Sequence, residues 1–146
     1  MKGYVCKVCK YIAFDLAPER CPVCGAAKEA FIEDVSAMRS PEERPGETEL
    51  EKKHIPVVAV EKICGIVPEG CLDVHARLGR VQHPMEAVHY IQHIDFYVDK
   101  RFVLRAHLMP EIPNPAACLH LKRPGTRAQV IALCNIHGAW FNETVI

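Results

Sequence analysis

Four cysteines near the start of the chain are spaced as two metal-binding pairs. Cys6 and Cys9 form one Cys-x-x-Cys pair, Cys21 and Cys24 form another, and eleven residues separate the two pairs. Each pair can form a knuckle whose two sulfurs bind one ion, and two knuckles close a tetrahedral four-sulfur cage. The spacing predicts a metal site but does not separate iron from zinc, because zinc ribbons use similar spacing.

Histidines and one further cysteine form a second candidate site. His54 stands in KHIP, His83 and His89 flank PMEAV, and Cys134 with His137 forms a Cys-x-x-His motif. A thiolate and an imidazole at that spacing can reach one ion. The spacing of six between His83 and His89 does not place both on one face of a helix. We therefore expect His83 in a loop and His89 at the end of a short turn. Spacing alone leaves this a possible metal site.

Composition limits the classes of function. The chain has 146 residues, 49% hydrophobic and 25% charged, with a formal net charge of zero. A zero net charge favours neither nucleic acid nor an anionic membrane as a partner. No apolar run is long enough to span a bilayer and no signal peptide is recognisable, so we expect a cytoplasmic protein without a membrane partner. Eight cysteines then indicate thiolate metal sites rather than a disulfide framework.

Three regions are predicted along the chain. Residues 1–31 are a small domain that needs a staple such as a metal. Residues 32–53 are charged and contain two prolines, which predicts a solvated linker. Residues 54–146 contain seven short segments rich in β-branched and aromatic residues, separated by Pro and Gly, including Pro124-Gly125. This texture predicts a mainly β chain ending in an antiparallel sandwich of about seven strands. Residues 84–88 are the one stretch expected to form a helical turn.

The first region resembles the rubredoxin-like domain of rubrerythrins. The resemblance covers nearly all of residues 3–31 and rests on YVCKVCKYIAFDLAPERCPVCGAAKEAF, including both cysteine pairs and the CPVCG knuckle. It implies one iron bound by Cys6, Cys9, Cys21 and Cys24, which cycles between ferric and ferrous as an electron carrier; zinc is the alternative metal. The sequence departs from the family at Lys10, where the family usually has Gly.

The last region resembles the superoxide reductase family, which includes neelaredoxin and the catalytic domain of desulfoferrodoxin. KHIPVV, HPMEAVHYI and CNIHGAW carry the resemblance, in this order, with an apparent insertion around 64–71. The family implies an immunoglobulin-like β-sandwich and a catalytic iron with an open sixth position. The iron would have one axial thiolate, four equatorial imidazoles and a nearby cation that attracts superoxide. The matching residues are Cys134 for the thiolate, Lys53 for the cation, and His54, His83, His89 and His137 for the imidazoles.

Two departures from the family affect these expectations. The family usually has a Glu directly before the lysine, and this Glu can bind the oxidised iron. Here Lys52 takes that place and Glu51 lies one residue earlier. If this stretch is extended, neighbouring side chains alternate in direction and Glu51 points away from the iron. In addition, desulfoferrodoxin's extra domain has its second two cysteines adjacent, whereas this chain has CPVC.

The resemblance implies an oxidoreductase that reduces superoxide to hydrogen peroxide. The first iron would relay electrons to the catalytic iron from an external donor such as rubredoxin or its reductase, and we expect a homo-oligomer. Two other hypotheses stay open, namely a non-catalytic iron electron-transfer protein and a zinc-stabilised binding module.

Several residues outside the motifs receive structural interpretations. Cys118 is expected to be a buried thiol and Trp140 a core residue. Cys64 and Cys71 flank GIVPEG and could form a disulfide, but a reducing compartment favours free thiols. Four further histidines lie in strand-like segments and are not assigned to a site, namely His75, His93, His107 and His120.

Overall fold

Two structural units follow each other along the chain in the computed structural model, which describes residues 1–41, 46–123 and 125–146. The first unit is Met1–Arg39 and the second is Ser40–Ile146. Residues 42–45 of the predicted linker, and Pro124 in a predicted turn, lie outside the described residues. The prediction of a mainly β chain is confirmed. Among the described residues, no helix is long and apolar enough to cross a membrane.

The first unit is a three-stranded antiparallel sheet beside the four cysteines. Its strands are β1 (Gly3–Cys6), β2 (Ile12–Ala13) and β3 (Phe31–Asp34), in the order β2-β1-β3, and a 3-10 turn covers Lys28–Ala30. So short a unit has a small apolar core. Tyr11 and Met38 are buried there, and the Tyr11 ring meets Phe31 edge-on at 6.2 Å. A core of this size leaves much of the stabilisation to the metal site.

The second unit consists of a short helix followed by two antiparallel sheets. The helix α1 spans Glu49–His54. The strands are β4 (Pro56–Glu61), β5 (Leu72–Leu78), β6 (Ile91–Val98), β7 (Arg101–His107), β8 (Ala116–Leu121), β9 (Arg127–Cys134) and β10 (Gly138–Val145). One sheet has the order β4-β5-β8 and the other β10-β9-β6-β7.

Both sheets contribute to a single core. Alternation along β5 turns Val74, Ala76 and Leu78 inward, while His75 and Arg77 face solvent. The other sheet contributes Ile91, Ile94, Phe96, Ala128, Val130 and Ala132 to the same cluster. Burial from two facing sheets is the defining property of a β-sandwich. The seven strands fall within the seven predicted segments, apart from one or two residues at their ends.

Two local expectations were wrong. The linker prediction fails at both ends of 32–53: β3 continues to Asp34, and α1 begins at Glu49 because Thr48 and Glu51 form a capping box. The stretch before His54 is therefore helical rather than extended. Residues 84–88 form no helical turn. Instead, Glu86 and His89 exchange two backbone hydrogen bonds of 3.0 and 3.2 Å across a tight turn.

Candidate metal centres

The four cysteines of the first unit converge on one point. Their sulfurs all lie within 4.8 Å of one another. Cys6 Sγ is 3.7 Å from Cys24 Sγ, and Cys9 Sγ is 3.5 Å from Cys21 Sγ. A tetrahedron with metal–sulfur bonds of about 2.3 Å has edges of about 3.8 Å, whereas a disulfide requires about 2.05 Å. The sulfur positions thus match a tetrahedral metal cage.

The two knuckles have the same backbone hydrogen bonds. Cys6 N donates to Tyr11 O, and Cys21 N donates to Ala26 O, both at 2.8 Å. The residue four positions after the first cysteine donates back to it at 2.9 Å in each case, and it is Lys10 in one knuckle and Gly25 in the other. Both have positive φ, 62° and 74°. Lys10 therefore adopts the left-handed conformation that Gly usually supplies, so the first turn keeps its geometry.

The first histidine of the second site is held by α1. His54 is the last residue of the helix and is 1% exposed. Its Nδ1 donates to Leu50 O, one turn earlier, at 2.7 Å. The helix has only six residues, so its capping matters: Thr48 Oγ1 accepts from Glu51 N at 3.2 Å, and the Glu51 carboxylate accepts from Thr48 N at 2.7 Å.

The β9–β10 hairpin supplies two further residues. Cys134 ends β9, and Gly138 opens β10 opposite it with φ 76°. Three residues between them form the loop, and a glycine in the left-handed region closes such a hairpin. His137 N donates to Cys134 Sγ at 3.4 Å, and His137 Nδ1 lies 3.6 Å from the same sulfur. The CNIHG motif thus places a thiolate and an imidazole at one hairpin tip.

The loop between β5 and β6 supplies the last two histidines. His83 lies in an irregular stretch, and its Nδ1 donates to Pro84 O at 2.6 Å. His89 follows the tight turn. Asn135, at the hairpin tip, ties this loop down: its side chain accepts from Tyr90 N at 2.9 Å and donates to Val88 O at 3.0 Å. Asn135 is therefore a positioning residue for His89.

The topology explains why these segments meet. Pro56, after His54, pairs with Leu78 at the end of β5, and Ile91 pairs with Cys134. In antiparallel sheets the end of one strand lies beside the start of the next. All the ligand-bearing segments therefore lie at one end of the sandwich.

The imidazoles are arranged around a common centre. The ligand atoms of His54, His83, His89 and Cys134 all lie within 4.8 Å of one another. The His137 ring lies 4.7 Å from that of His54 and 5.0 Å from that of His89. The structure thus brings four of the predicted ligands together by their ligand atoms and places the His137 ring beside them.

The hydrogen bonds of the histidines fit a cation in this cluster. His54 and His83 each donate from Nδ1 to a carbonyl, so in the neutral ring each Nε2 carries a lone pair. These two Nε2 atoms face each other at 3.1 Å. His89 Nε2 is buried and has no hydrogen-bond partner among the residues that the structure describes. Lone pairs at that distance repel unless a cation lies between them, so the donor set fits a bound metal ion.

Burial keeps the histidines in the ligating form. Burial, and then the neighbouring imidazoles, lower the pKa of His83 to about 4, against the opposing effect of the Pro84 carbonyl. The pKa of His89 is also lowered, first by burial and then by His137, with a smaller contribution from Lys53. Both rings are thus neutral at physiological pH.

The site is open on one side. Cys134, His54 and His83 are buried, whereas His89 and His137 are partly exposed and Lys53 is exposed. Lys53 directly precedes His54 at the end of α1, and its charge makes a small contribution to lowering the pKa of His89. An anion approaching from solvent would therefore meet Lys53 and the exposed imidazole edges.

One glycine lets α1 approach the sandwich. Gly79 has φ 79°, and a Cβ there would lie 2.4 Å from Lys53 O and 2.2 Å from Val81 O. Val81 N also donates to Lys52 O at 3.0 Å. A larger residue at this position would displace the end of the helix that carries His54.

Trp140 combines the predicted core role with a contact to the site. It is 2% exposed, and its ring lies 4.9 Å from that of His54. His93, which was not assigned to a site, is buried. Cys118 is only partly buried, on the outward face of β8, so the expectation of a buried thiol was wrong.

Sequence reasoning missed one cluster. Cys64 and Cys71 lie beside Asp73 and His120, and no disulfide joins the two cysteines. Two-residue alternation along β5 and β8 was the available signal, because it puts polar residues of both strands on one outward face.

The fold and the two clusters define a class: a β-sandwich metalloprotein of the four-histidine, one-cysteine type with an appended rubredoxin-like domain. The desulfoferrodoxin family profile matches residues 46–143, and that of the rubrerythrin rubredoxin-like domain matches residues 4–32. The chain belongs to the desulfoferrodoxin family.

Individual relatives agree with this assignment. A desulfoferrodoxin from Syntrophotalea carbinolica is 34% identical over 92 residues, 63% of each chain, so the match spans less than two thirds of that relative's length. A putative superoxide reductase from Methanocaldococcus jannaschii is 28% identical over 104 residues, 68% of this chain and 86% of that protein. The solved superoxide reductase from Nanoarchaeum equitans matches with a TM-score of 0.55 at 24% identity, covering 68% of this chain and 98% of that one. This last likeness shows a shared fold.

Proposed function

We propose that this chain is a superoxide reductase, which converts superoxide to hydrogen peroxide with one electron and two protons and releases no dioxygen. Residues 54–146, with Lys53 at their start, are the catalytic domain, and residues 1–31 are the electron-supplying domain. The family assignment and the relative named a putative superoxide reductase support the proposal.

The observation that carries the proposal is the convergence of unprotonated imidazole nitrogens beside a buried thiol. His54 and His83 direct their Nε2 atoms at each other at 3.1 Å, and Cys134 is 2% exposed. Imidazole nitrogens suit ferrous iron, and a thiolate ligand increases electron density on the metal. An iron ion held by His54, His83, His89, His137 and Cys134 would supply the electron for superoxide.

Each side chain then has a defined task. Carbonyl acceptors fix the tautomers of His54 and His83, so that both present Nε2. The N–H of His137 stabilises negative charge on Cys134 Sγ. Lys53 attracts the superoxide anion to the open side, where solvent can deliver the two protons.

The four-cysteine site is proposed to hold an iron that accepts electrons from an external donor such as rubredoxin or its reductase. Zinc in that cage would preserve the first unit but stop the relay, because zinc has no redox chemistry. We further propose a cytoplasmic homo-oligomer, with neither nucleic acid nor membrane as partner. The mass in solution tests the oligomer, and fractionation of the cell tests the location.

Stopped-flow reaction of the reduced, iron-loaded protein with superoxide tests the function. We expect a fast bimolecular reaction that yields peroxide without dioxygen, and a slower one with a flatter ionic-strength dependence in Lys53→Ala. Lys52→Ala is the matched control, since Lys52 is paired with Glu49 at 2.6 Å on the same helix. If the protein binds two irons but does not react with superoxide, the hypothesis of a non-catalytic electron-transfer protein is favoured. If both sites contain zinc, the hypothesis of a zinc-stabilised binding module is favoured. Equal rates and salt slopes in wild type and Lys53→Ala would remove Lys53 from the mechanism.

A further inference from the structure

A third group of metal-ligating side chains lies on the outer face of the three-stranded sheet. It consists of Cys64, Cys71, Asp73 and His120, called here the loop cluster. One potential ligand atom from each residue lies within 4.8 Å of the other three. Neither the desulfoferrodoxin site nor the four-cysteine cage uses any of these residues.

The sheet register brings two of these residues together. Asp73 of β5 pairs directly with His120 of β8. Their neighbour Val74 points into the core, so Asp73 belongs to the outward-facing set. Asp73 is nevertheless only 7% exposed. The loop of residues 62–71 brings Cys64 and Cys71 to this face, where Cys71 Sγ donates to Asp73 Oδ1 at 3.2 Å.

The two sulfur–nitrogen distances are close to those of tetrahedral coordination. Cys64 Sγ and Cys71 Sγ lie 3.3 and 3.6 Å from His120 Nδ1. A zinc ion with bonds of about 2.3 Å to sulfur and 2.0 Å to nitrogen gives a sulfur–nitrogen edge of about 3.5 Å. His120 Nδ1 is 2.8 Å from Asp73 Oδ1, a hydrogen-bond distance, and a small rotation of the exposed ring would open this edge to the roughly 3.3 Å of a zinc site.

The loop backbone is arranged to stabilise a thiolate. Ile66 N and Val67 N both donate to Cys64 Sγ, at 3.3 and 3.2 Å. His137 N makes the same kind of bond to Cys134 Sγ in the four-histidine site. Backbone N–H donors directed at a cysteine sulfur lower the cost of a negative sulfur, which a metal ligand must carry.

The charge of the cluster also favours a cation. Two thiolates and a carboxylate would place three negative charges together, and a divalent ion offsets most of that repulsion. A cavity of ≈ 330 Å³ borders Cys71 and His120 and provides a path for the ion.

We propose that Cys64, Cys71, Asp73 and His120 bind one tetrahedral zinc ion, which fixes loop 62–71 over the outer face of β5 and β8. The site is separate from the four-histidine centre. Leu78 pairs with Pro56, two residues after His54, and so marks the end of β5 nearest the four-histidine centre. Asp73 lies five residues from Leu78 along β5. At about 3.4 Å per residue, the two centres are about 17 Å apart along the strand. The proposal does not depend on the function proposed above.

Zinc content of the full-length, iron-loaded protein tests this site. The protein is equilibrated with zinc, separated by gel filtration in zinc-free buffer, and its metals are counted. We expect Cys64→Ser and Cys71→Ser to contain one zinc per chain less than wild type, with unchanged iron and unchanged visible bands. Cys118→Ser is the matched control: Cys118 lies on the same face, within reach of Asp73 and His75, but outside the loop cluster. It should keep the zinc.

Alkylation of the wild-type protein gives a second readout that needs no variant. Zinc should protect Cys64 and Cys71 from alkylation and should not change the extent of alkylation of Cys118. Equal zinc content in wild type and Cys64→Ser would overturn the proposal. Loss of zinc in Cys118→Ser but not in Cys64→Ser would also overturn it. A Cys64–Cys71 disulfide detected by mass spectrometry in protein prepared in reducing buffer would do the same. The superoxide reaction can fail or succeed independently of each result.

Discussion

Glu51 should act as a helix cap rather than as an iron ligand. It stands one residue away from the place where the family usually has a ligating Glu. In the structure it is 7% exposed, and its carboxylate accepts hydrogen bonds from Thr48 N and Thr48 Oγ1 at 2.7 and 2.6 Å. The argument that side-chain alternation turns Glu51 away from the iron required an extended backbone, whereas this stretch is helical. The capping box gives a different reason to predict that Glu51 does not bind the iron, because its carboxylate is already bonded to Thr48.

The size of the effect follows from the length of α1. Removing one side of a helix cap costs about 1 kcal/mol. A six-residue helix has little stability of its own, so we expect most of that loss to act on the ordering of His54. One kcal/mol corresponds to about a fivefold change in an equilibrium constant. Glu51→Ala and Thr48→Ala should therefore each weaken metal binding in the four-histidine site by about fivefold. Because both belong to one network, the double variant should lose less than the sum.

A chelator competition on each variant measures this affinity, and the oxidised spectrum from pH 6 to 9 is recorded alongside. Glu49→Ala is the matched control, since Glu49 is in the same helical turn and its ion pair with Lys52 is exposed. We expect its affinity to equal that of wild type. The reasoning is refuted if Glu51→Ala shifts the charge-transfer band while Thr48→Ala does not, because Glu51 would then bind the iron.

Two further predictions concern buried groups. Cys134→Ser should abolish the thiolate charge-transfer band of the second centre and leave the four-cysteine spectrum intact; an unchanged band would mean that another residue is the axial ligand. His93→Phe should reduce the acid sensitivity of folding. Burial, and then Arg105 and His107, lower the pKa of His93 to about 3. The unfolded chain therefore binds a proton below about pH 6.5 that folded His93 does not, which costs wild type up to about 2.7 kcal/mol by pH 4.5. Urea unfolding at pH 7 and 4.5 measures the difference, and identical pH slopes in both proteins would contradict it.

Local patterns predicted much of the structure. Enrichment in β-branched and aromatic residues, with Pro and Gly breaks, located the seven strands described for the sandwich, because such side chains fit a pleated, half-buried surface. The cysteine knuckles were also predictable from local sequence, because their backbone hydrogen bonds join residues within six positions of each other. The Cys134–His137 pair is likewise a property of one hairpin tip.

Non-local and side-chain-determined features were harder to predict. The stretch before His54 is charged and resembles a linker, and its helix is fixed by side-chain bonds between Thr48 and Glu51 that composition does not reveal. The turn before His89 depends on backbone bonds between Glu86 and His89 rather than on propensity. The loop cluster needs the register of β5 against β8, which no single segment of sequence contains.

The residues of the four-histidine centre are held in place by structural elements of different stability. Cys134 and His137 share a β-hairpin, and the loop carrying His89 is bonded to that hairpin through Asn135. His54 depends on a six-residue helix that is held by its own cap and by the close approach at Gly79. Lys53 is its neighbour on that helix. Fraying of α1 would therefore remove the proposed iron ligand His54 and the proposed substrate-attracting charge of Lys53 together, so metal affinity and superoxide reactivity should fall in parallel when the cap is weakened.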